Sequence, residues 1–390
     1  MTAPLVRLAP APRARQPGPN ARSAFLDACA AIAHGSLRLT TPEGAVRHFG
    51  AGAPQAELIL HDWAALAAAR DRGEAGWAAA YAAGLWDSPD IEAVCALALR
   101  NPRAPFGLGA PRPAARLAAR AARALGAESR ADGGPLMLVR PELGAEFYRQ
   151  WLDEGMHCSA ALFAREGDSL ERAQLAKCDR ILDLLGPAPG ALLELGCGWG
   201  GFAERAAERG HRVTGIAATP NHKAYADARL DGRAEIRLQG DREDRVQYDA
   251  IVAIESIGAV GARRRPAWFK SLAARLKPGG RAVVQAVVTP DEAAEAGPGA
   301  FPGALAPREA AIAAEARRAG LTVAGRLAFG EHHARTLRAW DERMQARAGR
   351  LAQYGFDAAT LRRWRYRLNA GAAAFAAGRV DVVQLALEHG

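Results

Sequence analysis

The chain has 390 residues, 49% hydrophobic and 24% charged, which excludes a largely disordered protein and leaves room for two domains or one large domain with an extension. Lys and Arg number 51 against 42 Asp and Glu, a formal +9 that admits a membrane surface or a nucleic acid as partner without choosing between them. No apolar run reaches the ~18 residues of a membrane span, and five scattered cysteines (Cys29, Cys95, Cys158, Cys178, Cys197) without a CxxC pair argue against a disulfide framework or structural zinc and fit a reducing cytoplasm.

Residues 1–20 carry Arg7, Arg13, Arg15 and several prolines but no apolar signal core, and are expected to form a flexible basic arm. Over 21–100, residues 37–40 and 56–60 pattern as strands separated by a Pro/Gly-rich stretch, and 62–70 and 91–100 have helical spacing, which predicts a small α+β domain. Residues 101–135 begin with four chain-breaking prolines and continue as an Ala/Arg/Leu helix with Arg116, Arg120 and Arg123 at helical spacing. This is a basic linker helix, either a solvated one or one whose face rests on anionic lipid headgroups.

From 140 onward strand and helix signals alternate, the pattern of an α/β doubly wound parallel sheet. Asp168 is expected to cap a helix running to about Leu185, with Glu171 three residues on, and Gly186-Pro187 stops it. Strands follow at 191–195, 212–216, 248–254 and 281–288, with helices at 202–209, 221–230 and 265–276 between them. No internal repeat is present.

The most informative stretch is the turn after the first of these strands, Glu194-Leu195-Gly196-Cys197-Gly198-Trp199-Gly200-Gly201-Phe202. Glycines between a strand and a helix let backbone approach a ligand at the carboxyl end of the sheet. The spacing is GxGxG, without the GxGxxG and distal acid of a dinucleotide site or the lysine of an NTP loop.

This turn resembles motif I of S-adenosylmethionine-dependent methyltransferases, and specifically of the cyclopropane-fatty-acyl-phospholipid synthase family. The resemblance extends over nearly the whole chain. It includes Gly144 to Tyr148 with Trp151-Leu152-Asp153, Met156 through Phe163, Tyr248 to Val252 with Glu255, Leu276 to Gly280, Phe301-Pro302-Gly303, Ala334 to Leu337 with Trp340, and Gly378 to Gln384. Residues 36–100, with Trp86 to Asp90, resemble the family's N-terminal domain, so 21–100 is expected to bind lipid or a partner and 136–390 to be the methyltransferase domain, with a Rossmann-like sheet. The resemblance implies an enzyme at the cytoplasmic face of the membrane, peripherally attached, acting on phospholipid acyl chains, and a homodimer. Nucleic-acid methylation is disfavoured because the Pro-Cys and Asn-Pro-Pro-Tyr signatures of base chemistry are missing.

In this family a cis double bond of an acyl chain attacks the methyl sulfonium of S-adenosylmethionine, and a base then removes a proton to give a cyclopropane or a methyl-branched or methylene product. The resemblance assigns cofactor binding to Ser159, Glu194, Gly196, Gly198, Trp199, Gly200, Thr219, His222 and Gln239, with Glu194 orienting the loop and His222 either near the ribose or on the surface. Cyclopropane synthases hold a bicarbonate with five groups whose positions here read Ala160, Gly258, Gln285, Val287 and His333, so bicarbonate is not expected in its usual arrangement. Glu255 is then the candidate base or cation stabiliser, with His333 or His332 as second partner and Gln285 beside it; the alternative is that Glu255 caps a loop or contacts the cofactor. Cys158 and Cys197 are expected to pack rather than react. Two further readings stand beside this one: a methyltransferase for another apolar molecule, and a non-catalytic lipid-binding relative.

Overall fold

The structure, a computed structural model, describes residues 19–101, 143–186, 188–238, 246–291 and 306–390. Most of the basic arm, nearly all of the linker helix, Gln239 and residues 301–303 lie outside the described residues. The chain opens with α1 (Pro19–Ala30), β1 (Gly35–Thr40), β2 (Val46–Ala51), β3 (Gln55–Leu60), α2 (Ala64–Arg72), α3 (Glu74–Ala82), β4 (Trp86–Asp87) and α4 (Ile91–Arg100). It continues through α5 (Gly144–Arg149), α6 (Leu170–Leu185), β5 (Ala191–Leu195), α7 (Gly201–Glu208), β6 (Arg212–Ala217), α8 (Pro220–Leu230), β7 (Glu235–Leu238) and β8 (Tyr248–Ile254). After a 3-10 turn (Ser256–Ala259) come α9 (Arg265–Arg275), β9 (Leu276–Val288), α10 (Glu309–Arg318), β10 (Leu321–Ala328), α11 (Gly330–Ala346), α12 (Ala348–Gln353), α13 (Ala358–Ala376) and β11 (Asp381–His389).

Two compact units divide these elements, one gathering the residues up to 135 with 344–377, the other holding most of the rest. The first unit is built on a four-stranded sheet of order β2-β1-β3-β4, in which β1 runs antiparallel to β2 and parallel to β3. Strand β2 falls in the stretch that looks like a Pro/Gly-rich separator; almost all of its residues are exposed, so it lacks the alternation that marks a half-buried strand. Late in sequence, α13 joins this unit. Its Arg362 donates to the carbonyls of Tyr81 (2.7 Å) and Trp86 (2.8 Å) and to the Asp87 carboxylate (3.0 Å), and its Tyr366 ring meets Trp86 edge-on against the stacked Trp77–Trp86 pair.

The second unit is α/β. Its seven-stranded sheet has the order β10-β11-β9-β8-β5-β6-β7; β5 to β9 are parallel, and β11 runs antiparallel to both its neighbours, β9 and β10. This is the doubly wound, Rossmann-like sheet expected of a methyltransferase. Strands β5 and β8 are buried almost continuously, as a sheet covered on both faces requires. Strand β5 has β6 on one side and β8 on the other, so the strand order reverses at β5, and the crevice at its carboxyl end is the position where such sheets bind ligands. The cap of α6 differs from expectation: Ser169 Oγ accepts the Arg172 N–H, while Asp168 turns its carboxylate to the Arg165 N–H, because one residue's shift places the shorter side chain at the first free donors.

Candidate active site

Between β5 and α7, Gly196, Gly198 and Gly200 adopt φ of 84°, 52° and 85°, a region that side chains rarely enter. A Cβ on Gly196 would stand 2.7 Å from that of Ser256 and one on Gly200 3.1 Å from that of Ala226, while the space beside Gly198 is open. The loop is held by main chain: the N–H groups of Gly196 and Cys197 both donate to the Ile216 carbonyl (3.1 and 3.0 Å) and Gly200 N–H to Cys197 (2.9 Å). Glu194 makes no side-chain hydrogen bond among the described residues, so β6 rather than Glu194 orients the loop. Its Oε2 is buried without a partner, and burial pushes its pKa up to about 8.

Helix α6 supports Ser159 from behind. Lys177 Nζ donates to the Ser159 hydroxyl (2.8 Å) and to Gln174 Oε1 (2.6 Å), and Gln174 Nε2 donates to the Ser159 carbonyl (2.9 Å). Both Lys177 and Gln174 are fully enclosed, which polar groups tolerate only when hydrogen-bonded. Beside them His157 Nδ1 lies 2.7 Å from Asp153 Oδ2 and its Nε2 3.4 Å from Cys178 Sγ. Burial opposes protonation of His157, but the neighbouring Cys178 and the charge and hydrogen bond of Asp153 outweigh it and raise its pKa to about 9. Sequence reasoning missed Gln174, Lys177 and His157. The signal was present: Gln174 and Lys177 share helical spacing with Leu170, Ala173, Cys178 and Ile181, the buried face of α6.

His222 proves to be buried, 5% exposed, rather than a surface histidine; neither ring nitrogen has a partner and burial lowers its pKa. Thr219 spends its hydroxyl on the helix, accepting the His222 N–H at 3.2 Å as cap of α8. The Trp199 ring meets His222 edge-on at 4.4 Å, with Nε1 also buried and unpartnered. Aromatic contacts run on from there through Tyr148 (5.9 Å), Trp151 (5.5 Å) and Trp340 (5.6 Å) to His333 (6.0 Å). The unpartnered atoms Glu194 Oε2, Trp199 Nε1, Ser256 Oγ and both His222 nitrogens surround the glycine turn, with open space beside Gly198. A carboxyl, donors and a bare backbone fit a ligand that carries an ammonium group, ribose hydroxyls and an adenine, as S-adenosylmethionine does.

At the end of β8, Glu255 takes the left-handed backbone (φ 54°, ψ 5°), which costs a non-glycine residue about 1–2 kcal/mol. Its N–H donates to the Gln285 carbonyl (2.8 Å). Its side chain makes no cap to the 3-10 turn; Oε1 instead accepts from the Ala160 N–H (2.9 Å) and from Gln285 Nε2 (2.8 Å). Gln285 Oε1 in turn accepts from Gln384 Nε2 (3.0 Å), and both glutamines are wholly buried. Burial lowers the pKa of His333, against the opposing charge of Glu255. His332 is committed elsewhere, its Nδ1 accepting the Phe163 N–H at 3.1 Å.

Donors at two of the five positions assigned to bicarbonate, Ala160 and Gln285, are thus engaged by Glu255, while Gly258 is exposed beside open space and Val287 lies in the β9–β11 ladder. This donor set does not fit a second buried anion. Burial raises the thiol pKa of Cys158, with Glu255 adding to it, and likewise that of Cys197, so neither is an activated nucleophile. Among the described residues no group of three or more His, Cys, Asp or Glu has the arrangement of a metal site.

Residues 140–385 match the family model for mycolic acid cyclopropane synthetase. The chain is 31% identical over 383 residues to tuberculostearic acid methyltransferase UfaA1 of Mycobacterium tuberculosis, covering 91% of this chain and 88% of that protein. It is 32% identical over 232 residues to cyclopropane mycolic acid synthase 2 of Mycobacterium bovis, covering 52% and 77%. The solved structure of mycolic acid cyclopropane synthase CmaA1 complexed with SAH and CTAB superposes with a TM-score of 0.59 at 27% identity, covering 63% of this chain and 94% of that one. SAH is the demethylated form of S-adenosylmethionine. With the sheet, the turn and these relatives in agreement, the chain belongs to the mycolic acid cyclopropane synthetase family and is an S-adenosylmethionine-dependent methyltransferase.

Proposed function

We propose that this methyltransferase acts on the double bond of unsaturated acyl chains in membrane phospholipids, with Glu255 as the base that takes the proton after methyl transfer. When bound, S-adenosylmethionine supplies a sulfonium-activated methyl group to the alkene and departs as the neutral thioether, leaving the acyl chain as a methylated carbocation. An alkene has no acidic proton to remove beforehand, so the protein's contribution is positioning, exclusion of water and a correctly placed proton acceptor. Glu255 takes a proton either from the new methyl, whose C–H pair closes a cyclopropane, or from a neighbouring carbon, whose pair forms a methylene or methyl-branched olefin. Either way the chain gains CH2 overall.

The observation that carries this reading is the position of the Glu255 carboxylate, which accepts from Ala160 and Gln285 where the family resemblance expects a bicarbonate. Ser159, Glu194, the glycine turn, Trp199 and His222 would hold the cofactor, and His333, kept neutral by burial, stands as second group beside Glu255. The fatty acids in the relatives' names, tuberculostearic and mycolic acids, support a lipid substrate. The basic balance supports peripheral attachment at the cytoplasmic face of the membrane.

Incubation with S-adenosylmethionine and vesicles of monounsaturated phosphatidylglycerol is expected to add the mass of one CH2 per modified chain, with hydrogenation and NMR separating the products. The isosteric Glu255→Gln variant is expected to lose about 100-fold or more in kcat while its affinity for SAH, by calorimetry, is unchanged. Wild-type turnover is expected to be indifferent to added bicarbonate. Near-normal turnover of Glu255→Gln overturns the base assignment, and no mass gain on any unsaturated lipid overturns the substrate.

A further inference from the structure

We infer that Gln384, on β11, is a positioning residue for the reaction, acting through Gln285 to fix which oxygen of Glu255 receives the proton. The inference rests on the reading of Glu255 as base. Two buried side chains on adjacent strands and the half-buried carboxylate just past the end of a third form one directed chain: Gln384 Nε2 donates to Gln285 Oε1 (3.0 Å), and Gln285 Nε2 donates to Glu255 Oε1 (2.8 Å). The ladder makes this possible, since Gln384 faces Gln285 across β11 and β9, and Gln285 faces Ile254, the residue before Glu255, across β9 and β8.

A carboxylate only accepts hydrogen bonds, so Gln285 must turn its amide N–H to Glu255 and its carbonyl the other way. In an enclosed strand that carbonyl needs a donor, and Gln384 supplies it. The Ala160 N–H adds a second donor to the same oxygen. Among the described residues Oε1 therefore takes both donors and Oε2 takes none, which leaves Oε2 as the uncommitted oxygen, aimed by a side chain two strands away. Chains of this kind are worth more than their separate links, since each bond polarises the next.

The consequence is a product choice set by aim. With the relay intact, Oε2 meets one class of C–H bond of the carbocation; with it broken, Gln285 can turn its amide, Oε1 keeps only the Ala160 N–H, and the less firmly aimed carboxylate takes protons from more than one carbon. Gln384→Leu is expected to lower kcat about tenfold, to turn a single dominant product into a mixture of cyclopropane and olefin, and to leave KM for monounsaturated phosphatidylglycerol vesicles and the calorimetric affinity for SAH within about twofold. Gln384→Glu keeps the shape. While protonated, the introduced carboxyl still donates to Gln285, and once ionised it draws the Gln285 N–H to itself, so this variant is expected to gain a loss of kcat with rising pH that wild type lacks.

If Glu255→Gln is inactive while Gln384→Leu binds SAH normally and keeps wild-type kcat and product ratio, the relay is refuted and the base stands. An active Glu255→Gln removes the base itself. Should Gln384→Leu fail to fold, Gln384→Glu decides alone: a pH profile parallel to wild type overturns the relay.

Discussion

Glu194 sits at the end of β5 with its carboxyl enclosed, and its pKa rises from the ordinary 4.5 to about 8 because burial penalises the charge. Between those values the folded chain holds a proton that the unfolded chain has released, so this contribution to stability is full below about pH 4.5 and lost as pH rises through about 8. His157 behaves alike one step higher: its pKa is raised to about 9, so its contribution is present below the ordinary 6.5 and fades toward 9. Thermal melts of the cofactor-free protein should therefore show Tm falling across this range, and Glu194→Gln should flatten the part below about pH 8. Parallel Tm curves for variant and wild type would remove the buried proton from the account. At this scale the glycine turn stood out by its own spacing, whereas Glu255, Gln285 and His333 were singled out only through the family resemblance. Lys177, Gln174 and Gln384 were not, since a polar residue within an element suggests solvent until its face is known. Gln384 did carry a trace, being one amide within the apolar run Val382-Val383-Gln384-Leu385.

Elements were legible in proportion to how much of their surface the core claims. Strands β5 and β8 and helix α4 fall at the residues expected, because continuous burial or a strong apolar face dictates them. The exposed edge strand β2 left no such imprint. Nor does the sequence of α13 say which core it joins, since a long Ala-rich helix with buried positions at Trp364, Tyr366 and Leu368 could cover either sheet. What assigns it is Arg362, whose guanidinium reaches two carbonyls and a carboxylate about 280 residues earlier in the chain and lies 3.9 Å from the Tyr81 ring centre. Arg362→Ala leaves the Tyr81 and Trp86 carbonyls without this donor and should destabilise the first unit by about 2–3 kcal/mol. Hydrogen exchange is the measurement: amides in α3, β4 and α13 should lose protection while those of β5, β6 and β8 keep theirs. Equal loss in both sets would mean that the guanidinium does not act locally.

For the whole molecule, the excess charge is informative because of where it lies. From 101 to 140, Arg103, Arg112, Arg116, Arg120, Arg123, Arg130 and Arg140 face only Glu128 and Asp132, a surplus of five that is more than half of the net +9. These residues lie almost wholly outside the described ones, so the argument is electrostatic and rests on sequence. In sequence the stretch follows the strands of the first unit and precedes those of the methyltransferase sheet. The substrate proposed above, an acyl chain within a bilayer, would require the enzyme to hold that surface while it works, and each basic residue near an anionic leaflet contributes about 1 kcal/mol. Reversing Arg116, Arg120 and Arg123 together to Glu should weaken binding to phosphatidylglycerol vesicles by about 100-fold or more at low salt. The difference should shrink at high salt, where the Debye length falls to about 3 Å. Co-sedimentation reads the effect directly, with neutral phosphatidylcholine vesicles expected to bind both proteins equally weakly. Binding unchanged by the triple reversal would show that the arginines are a compositional habit of an Arg/Ala-rich chain and that the proposed substrate is reached without electrostatic docking through this segment.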